Sequence, residues 1–570
     1  MLRRAIATSR PRIAQPLKSR ASGAISEARL LARRSASTNA PHPAASGSPS
    51  VRNLVSLAVG VAIGVAGGLY LFEGSASAEK ASLFGKFGTH EDFKAAIAEL
   101  GATLAANKVS TDPEVVKGHG FSANSYHPAI AHSVVIFPES TEDVVAVMKI
   151  ATKYRMPVVA YSGGTSLEGH FSGIDGGCIC VDMSGMHNII KLHEDDADVV
   201  VQSGIGWEEL NAQLREMNYP YFFPLDPGPG ATIGGMVGTG CSGTNAVKYG
   251  TAKSHWFINL TVVLPNGEVI KTRSRARKSS AGFDLTKIFI GAEGTLGIVT
   301  EATLRLAPLV PTTVAVAQFP DVRKAASAVQ EVLTSTAGDS IQCVELVDDH
   351  FMRATNLFGQ SHRKYLEKDS LFFKIQGSTT SQKENAKIIQ GIVKKHGGLT
   401  FELARSKEEA EELWHDRKVA LWSGMALVPG SRAWSTDVCV PVSRLPDLVY
   451  ETKKDLAEHS IVSTIVGHVG DGNFHALLVF KDEEDVPKMH DAVKRMVDRA
   501  IAMEGTCTGE HGVGLGKKEF LYRELGTGTV NLMKQIKRTV DPLGIMNPGK
   551  LYPESPEDGF QVHGAGHAKH

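Results

Sequence analysis

From Ser133 onward, apolar and polar residues fall into regular blocks. SVVIFP is a short apolar, β-branched run and is predicted as a strand. STEDVVAVMKIATKY follows it with a Ser/Thr cap, acids in the first turn and apolar residues at helical spacing, which predicts a helix. MPVVAYSGGTSLEG is then a strand running into a Gly-rich loop, and GAEGTLGIVTEATLRL (291–306) is a Gly-punctuated turn running into an amphipathic strand. From about Pro311 the glycine density falls. PDVRKAASAVQEVLTS and SKEEAEELWHDRKVALWSGM predict helices, and LFFKIQGS predicts a strand. This change in texture places a second domain after residue 310.

The N-terminal end reads differently. Residues 1–52 carry ten basic residues against one acid, Glu27, and are rich in Ser and Ala, the composition of a mitochondrial transit segment. VSLAVGVAIGVAGGLYLF (55–72) has no charge, and as a helix it would rise ~27 Å, close to the hydrocarbon thickness of a bilayer. Gly60, Gly64 and Gly68 would form a small-residue ridge on it. One transmembrane helix is therefore expected over 53–74. The basic flank puts the N-terminus on the matrix side, which leaves the body facing the intermembrane space and inner-membrane lipid as a partner.

The chain has 570 residues, 42% of them hydrophobic, enough for two folded domains with appendages. Its net charge is zero, so the surplus of nine positive charges in 1–52 leaves −9 on the remainder. An acidic body disfavours nucleic acid and suits a basic partner. Six cysteines with no CxxC pair form no disulfide framework and read as structural.

VGHVGDGNFHAL (466–477) sets two histidines around turn residues. Read as a hairpin with a four-residue GDGN loop, it pairs His468 with His475 on one face, Cβ atoms ~5 Å apart. That spacing suits two ligands of one metal. GTCTGEHGVGLGKKEF (505–520) supplies Glu510 as a third ligand and His511 beside it. A His₂Glu set with an open position suits a catalytic divalent metal, Zn first, with Mn or Fe as alternatives. A 2-hydroxy acid could chelate such a metal. His511 would take the hydroxyl proton, and Arg417, Lys418 or Arg432 would hold the carboxylate, Arg417 being preferred.

The Gly-rich stretches complete the picture. Residues 162–166 (SGGTS) and DPGPGATIGGMVGTGCSGTNAVKYGT (226–251) expose backbone suited to a large phosphate-bearing ligand. No GxxxxGK[ST] occurs, nor GxGxxG after an early strand, so NAD is not supported. With 291–306, these segments resemble the FAD-binding domain of the vanillyl-alcohol oxidase (PCMH-type) flavoprotein superfamily. The resemblance implies an α+β fold in which a PCMH-type FAD-binding domain is joined to an α+β cap domain. It implies that Ser162, Gly163, Gly164, Thr165, Ser166 and Leu167 hold the pyrophosphate. Pro227, Gly230, Thr232, Gly234, Gly235, Gly240, Ser242 and Thr244 would line the ribityl chain and isoalloxazine. Glu293, Gly294, Gly297, Ile298 and Val299 would reach the pyrophosphate or adenine end. The loop has no histidine of the kind that tethers flavin in many members, and His170 reads as structural, so the FAD is expected to be non-covalent.

HVGDGNFH, GEHGVG and DPLGIMNPGKLYP are similar to the C-terminal domain of FAD-linked oxidases. In that subgroup of D-2-hydroxyacid dehydrogenases the paired histidines and the Glu bind metal, the following His is catalytic, and Asn547 matches a position near the flavin. RARKSSAGFDL and AWSTDVCVPVSRLP most resemble its mitochondrial branch, which implies D-lactate oxidation with cytochrome c as acceptor. Leu477 and Ser435 stand where hydroxyglutarate-type members carry polar groups, which favours a small monocarboxylate. The alternatives are a D-2-hydroxyglutarate dehydrogenase, a non-redox FAD-dependent ether-lipid synthase and a zinc hydrolase on a vestigial nucleotide fold. The expected organisation is transit segment 1–52, transmembrane helix 53–74, lead-in 75–128, FAD domain 129–310, cap domain 311–556 and tail 557–570.

Overall fold

The structure is a computed structural model, and it describes residues 87–122, 125–359, 362–418 and 420–554. The transit segment and the tail lie outside the described residues, as does 53–74, where a membrane span was expected. Among the described residues no helix is long and apolar enough to cross a membrane. The fold expectation is corrected to the α+β architecture that the described residues show, which includes no membrane-spanning helix, and the transmembrane helix and the orientation that rested on it are not carried further.

Three larger sheets organise the described chain, beside a two-stranded pair of Tyr221–Phe222 with Ala307–Pro308. The first is ordered Val109–Ser110, Val134–Ile136, Ile179–Asp182, Val158–Tyr161, its last three strands parallel. The predicted helix forms as Thr141–Tyr154, with the Ser140 side chain accepting from the Asp143 N–H. Its apolar stripe (Val144, Val147, Met148, Ala151) is fully buried against Val134, Ile136 and Ile179. The second sheet is antiparallel, ordered Ile189–His193, Asp198–Gln202, Ile298–Arg305, Phe257–Val263, Val269–Lys271. The Gly-rich 226–251 segment forms the short helices Ile233–Thr239 and Ala246–Tyr249, and Ile233, Met236 and Val237 pack into the core of the second sheet.

The third sheet is antiparallel and holds the predicted second-domain elements. Its order is Thr400–Leu403, Thr312–Phe319, Asp369–Gln376, Ile341–Val347, Ser463–Gly467, Asn473–Phe480, Arg432–Ser435, and Val438–Cys439 also pairs with Asn473–Phe480. Helices Val322–Thr334, Leu445–Glu458 and Val486–Ala502 cover its core of Phe319, Phe373, Ile465 and Phe474. The helix expected over 406–425 is described as Lys407–Lys418 and Ala420–Met425. The C-terminal segment returns to the first sheet: the Val158 N–H donates to Ile545 O and the Asn547 N–H donates to Val158 O, both at 2.8 Å. All six cysteines are free and five are buried.

Candidate active site

The two-histidine hairpin forms with a register different from the one expected. Val466, not His468, lies opposite His475, and five residues, 468–472, connect the strands. The offset is two residues. Side chains in a strand alternate with period two, so the shift keeps both histidines on one face. Their ring centroids are 5.3 Å apart.

Glu510 completes the group. Its Oε1 is 3.0 Å from His468 Nε2 and 3.2 Å from His475 Nε2, and ligand atoms of the three residues lie within 4.8 Å of one another. The opposite ring nitrogens are committed elsewhere. His468 Nδ1 is 2.8 Å from Glu345 Oε1, and His475 Nδ1 is 3.0 Å from Thr436 O. These acceptors take the Nδ1 protons and turn both Nε2 atoms toward Glu510. A metal-binding histidine is held in this way. Glu345 and Glu510 flank His468 with two buried carboxylates, which outweigh the effect of burial and hold its pKa well above the usual histidine range. Burial opposes ionisation of Glu510, and the neighbouring histidines hold its pKa well below the usual range. A donor set of this chemistry and charge fits a divalent cation.

Sequence reasoning missed the residues that build this arrangement. Glu345 lies on Ile341–Val347, where Leu346 pairs with Gly467, so the next step of the ladder sets Glu345 against His468. A lone acid in the run IQCVELV was its only signal. Asp437 is fully buried between two short strands that both pair with Asn473–Phe480. Its Oδ2 accepts from Thr508 Oγ1 at 2.7 Å, the Glu510 N–H at 2.8 Å and the His511 N–H at 2.9 Å, while Oδ1 accepts from Asn473 Nδ2 at 2.7 Å. One carboxylate thus ties the histidine hairpin to the Glu510–His511 loop. Ser242, expected at the flavin, instead donates to Glu510 Oε2 at 2.7 Å.

His511 stacks on His475, with ring centroids 4.8 Å apart and planes 9° apart. Burial pushes its pKa down to about 4 against the pull of Asp437, so the ring is neutral at pH 7. Its Nδ1 is buried without a partner.

These groups face a cavity of about 940 Å³ whose other walls are the predicted flavin loops. Residues 162–167, Pro227, Thr232, Gly234, Gly235, Thr244, Glu293, Gly294, Gly297, Ile298, Val299 and Asn547 all line it. Gly230, Gly240 and Ser242 are not among its lining residues. A Cβ on Gly163 would come within 2.4 Å of Gly230 O, so this wall closes only around glycine. Asn547 Nδ2 donates to His170 O and Glu293 O, while its Oδ1 is buried without a partner. A large, glycine-walled cavity with an unpaired acceptor fits an extended flavin nucleotide. His170 is buried, bonded to Ser166 Oγ, with Nε2 3.2 Å from Glu293 Oε2.

Of the three basic candidates, Arg417 and Lys418 reach the cavity. Arg417 is buried, pairs with Glu345 through Nη2 and leaves Nε without a partner. Arg432 is the correction: it ends at the surface in an ion pair with Glu483 and does not line the cavity. Leu477, Ser435 and Thr464 line the same end, Leu477 being paired with both of the others across adjacent strands.

Comparison with known proteins agrees with this division. Residues 132–273 match the family described as FAD binding domain, and 311–551 match FAD linked oxidases, C-terminal domain. Mitochondrial D-lactate dehydrogenase (cytochrome) of Arabidopsis thaliana is 46% identical over 455 residues, 79% of each chain. Mitochondrial D-lactate dehydrogenase (cytochrome) 1 of Saccharomyces cerevisiae is 43% identical over 448 residues, 76% of this chain and 75% of that one. Among solved structures, 4-ethylphenol oxidase from Gulosibacter chungangensis shares the fold, with a TM-score of 0.68 over 82% of this chain and 99% of that one at 19% identity.

Proposed function

The chain belongs to the family of FAD-linked oxidases, and from that premise we propose that it oxidises D-lactate to pyruvate in the mitochondrion and passes the electrons to cytochrome c. One observation carries the reading. Glycine-walled loops suited to FAD and the His468–His475–Glu510 group, with His511 stacked beside it, share one cavity. The names of the two relatives support the substrate, the acceptor and the compartment. Leu477 and Ser435 support a small monocarboxylate, since they offer no charge to a second carboxylate.

The cofactor is FAD, held non-covalently in this reading, because the Gly-rich loop 162–166 carries no histidine and the nearby His170 is buried with Nδ1 bonded to Ser166 Oγ. When bound, FAD supplies a hydride acceptor at N5 and the divalent cation, Zn with Mn or Fe as alternatives, a Lewis acid for the 2-hydroxyl. The chain's own residues divide the remaining work. Arg417 offers its unpaired Nε–H to the substrate carboxylate. His511, neutral at pH 7, accepts the hydroxyl proton as general base. The C2 hydrogen leaves with its electron pair, so two electrons and two protons account for lactate becoming pyruvate. The acidic body outside 1–52 suits a basic protein acceptor.

The test is anaerobic flavin reduction across D- and L-2-hydroxy acids, with and without a chelator, followed by cytochrome c reduction. D-lactate is expected to bleach the flavin, and verified metal removal to slow it. Bleaching by D-2-hydroxyglutarate but not D-lactate, or no bleaching by any hydroxy acid, would overturn the substrate reading. Unchanged bleaching after metal removal would refute the metal's role.

A further inference from the structure

Glu293 lies in the wall of the flavin cavity, where the family resemblance implies a contact to the cofactor. Its side chain is committed elsewhere. The carboxylate is buried and accepts from the Val513 N–H at 2.6 Å and the Gly514 N–H at 2.8 Å, and it also lies 3.2 Å from His170 Nε2. A carboxylate so engaged would also repel a pyrophosphate.

Its main chain is equally constrained. Glu293 adopts a left-handed conformation at φ 53°. Its N–H donates to Gly238 O at 2.9 Å, and its carbonyl accepts from Asn547 Nδ2 at 2.8 Å. A non-glycine residue persists in that region only when its surroundings over-determine it. The facing loop is built for close approach. A Cβ on Gly512 would lie 2.7 Å from His170 Nε2 and 2.9 Å from Glu293 Oε1, and one on Gly514 would lie 2.1 Å from Glu168 O. Glu510 and His511 lie only two to four residues before Val513 and Gly514. Asp437 holds their amides from the cap side, and Glu293 holds the amides of 513 and 514 from the flavin side.

We propose that Glu293 is a positioning residue: its carboxylate fixes the Glu510–His511 loop against the flavin wall, so metal affinity and the rate of flavin reduction depend on it while FAD affinity does not. This deepens the proposed function and rests on its metal reading. Glu293→Gln keeps shape and one acceptor but turns an amide donor toward backbone donors, and Glu293→Ala removes both acceptors.

The test uses the flavin-loaded protein. Zn²⁺ and Mn²⁺ affinity is measured by competition with a chelating indicator, FAD affinity by flavin fluorescence, and flavin reduction at saturating D-lactate by stopped flow. Glu293→Gln is expected to weaken metal binding 10–100-fold, the usual range for a residue that orients ligands, with FAD affinity changed less than about threefold and Glu293→Ala at least as severe. Loss of FAD affinity with metal affinity retained would make Glu293 a flavin ligand and overturn the proposal. Equal loss of both, or no change in either, also overturns it. A wild-type protein that binds neither metal would sink the metal reading instead. In that case slower reduction at unchanged FAD affinity would still support Glu293 as positioning His511, and an unchanged rate would refute it.

Discussion

Replacing Glu345 with Gln tests whether the metal group is assembled through buried charge. Glu345 is fully buried, accepts from His468 Nδ1 at 2.8 Å and pairs with Arg417 Nη2. Gln has nearly the same shape, so no cavity opens. Its single carbonyl can serve His468 or Arg417, and its NH₂ must then face the other donor. Two costs follow. Losing the carboxylate behind a ligating imidazole weakens metal binding ~10–100-fold, or about 1.4–2.7 kcal/mol. Leaving Arg417 buried without its counter-ion costs about 3–5 kcal/mol of folding stability. The second term is larger, so urea unfolding of the metal-free protein should register the change more strongly than metal titration does. The expected result is both effects, in that order of size. Unchanged metal affinity together with unchanged unfolding would refute the reasoning, because it would mean Glu345 is not holding either partner.

Three further outcomes are expected. His511→Asn should slow anaerobic flavin reduction by D-lactate by ~10²–10⁴-fold, the usual contribution of a general base, with metal and FAD affinities retained; an unaffected rate removes His511 from the chemistry. Leu477→Asn should move the kcat/KM ratio toward D-2-hydroxyglutarate at the expense of D-lactate, and an unchanged ratio would show that this position does not select substrate. His132 is buried between Cys178 Sγ and His119 O, and burial pushes its pKa down to about 4. The unfolded chain therefore binds this proton first as pH falls. The stabilisation from His132 is complete above about pH 6.5 and is lost toward pH 4, at most ~3 kcal/mol over that window. Urea unfolding of His132→Gln across that range should show a flatter profile than wild type, and a parallel profile would assign the dependence to other groups.

Much of the fold was legible because it depends on neighbours in sequence. The caps, acids and apolar stripe of 140–154 specify a helix wherever it packs, and the apolar runs at 134–136 and 369–376 specify strands. The glycine segments around 162, 230 and 294 marked the walls of the cavity, where Gly163, Gly243 and Gly297 leave no room for a Cβ. Period-two alternation placed His468 and His475 on one face, and Glu510–His511 followed as the missing groups.

Tertiary structure decided the rest, for reasons that no local pattern encodes. Alternation fixes the face of a strand but not its register, so a two-residue offset and a five-residue connection satisfied the same pattern. Arg417 and Arg432 were both basic candidates, Arg417 preferred, but only packing buried the first beside Glu345 and left the second at the surface. Glu345 and Asp437 are ordinary acids in sequence. Each was drawn into the site once distant strands and loops delivered donors to it, because a buried carboxylate persists only where the fold supplies those partners.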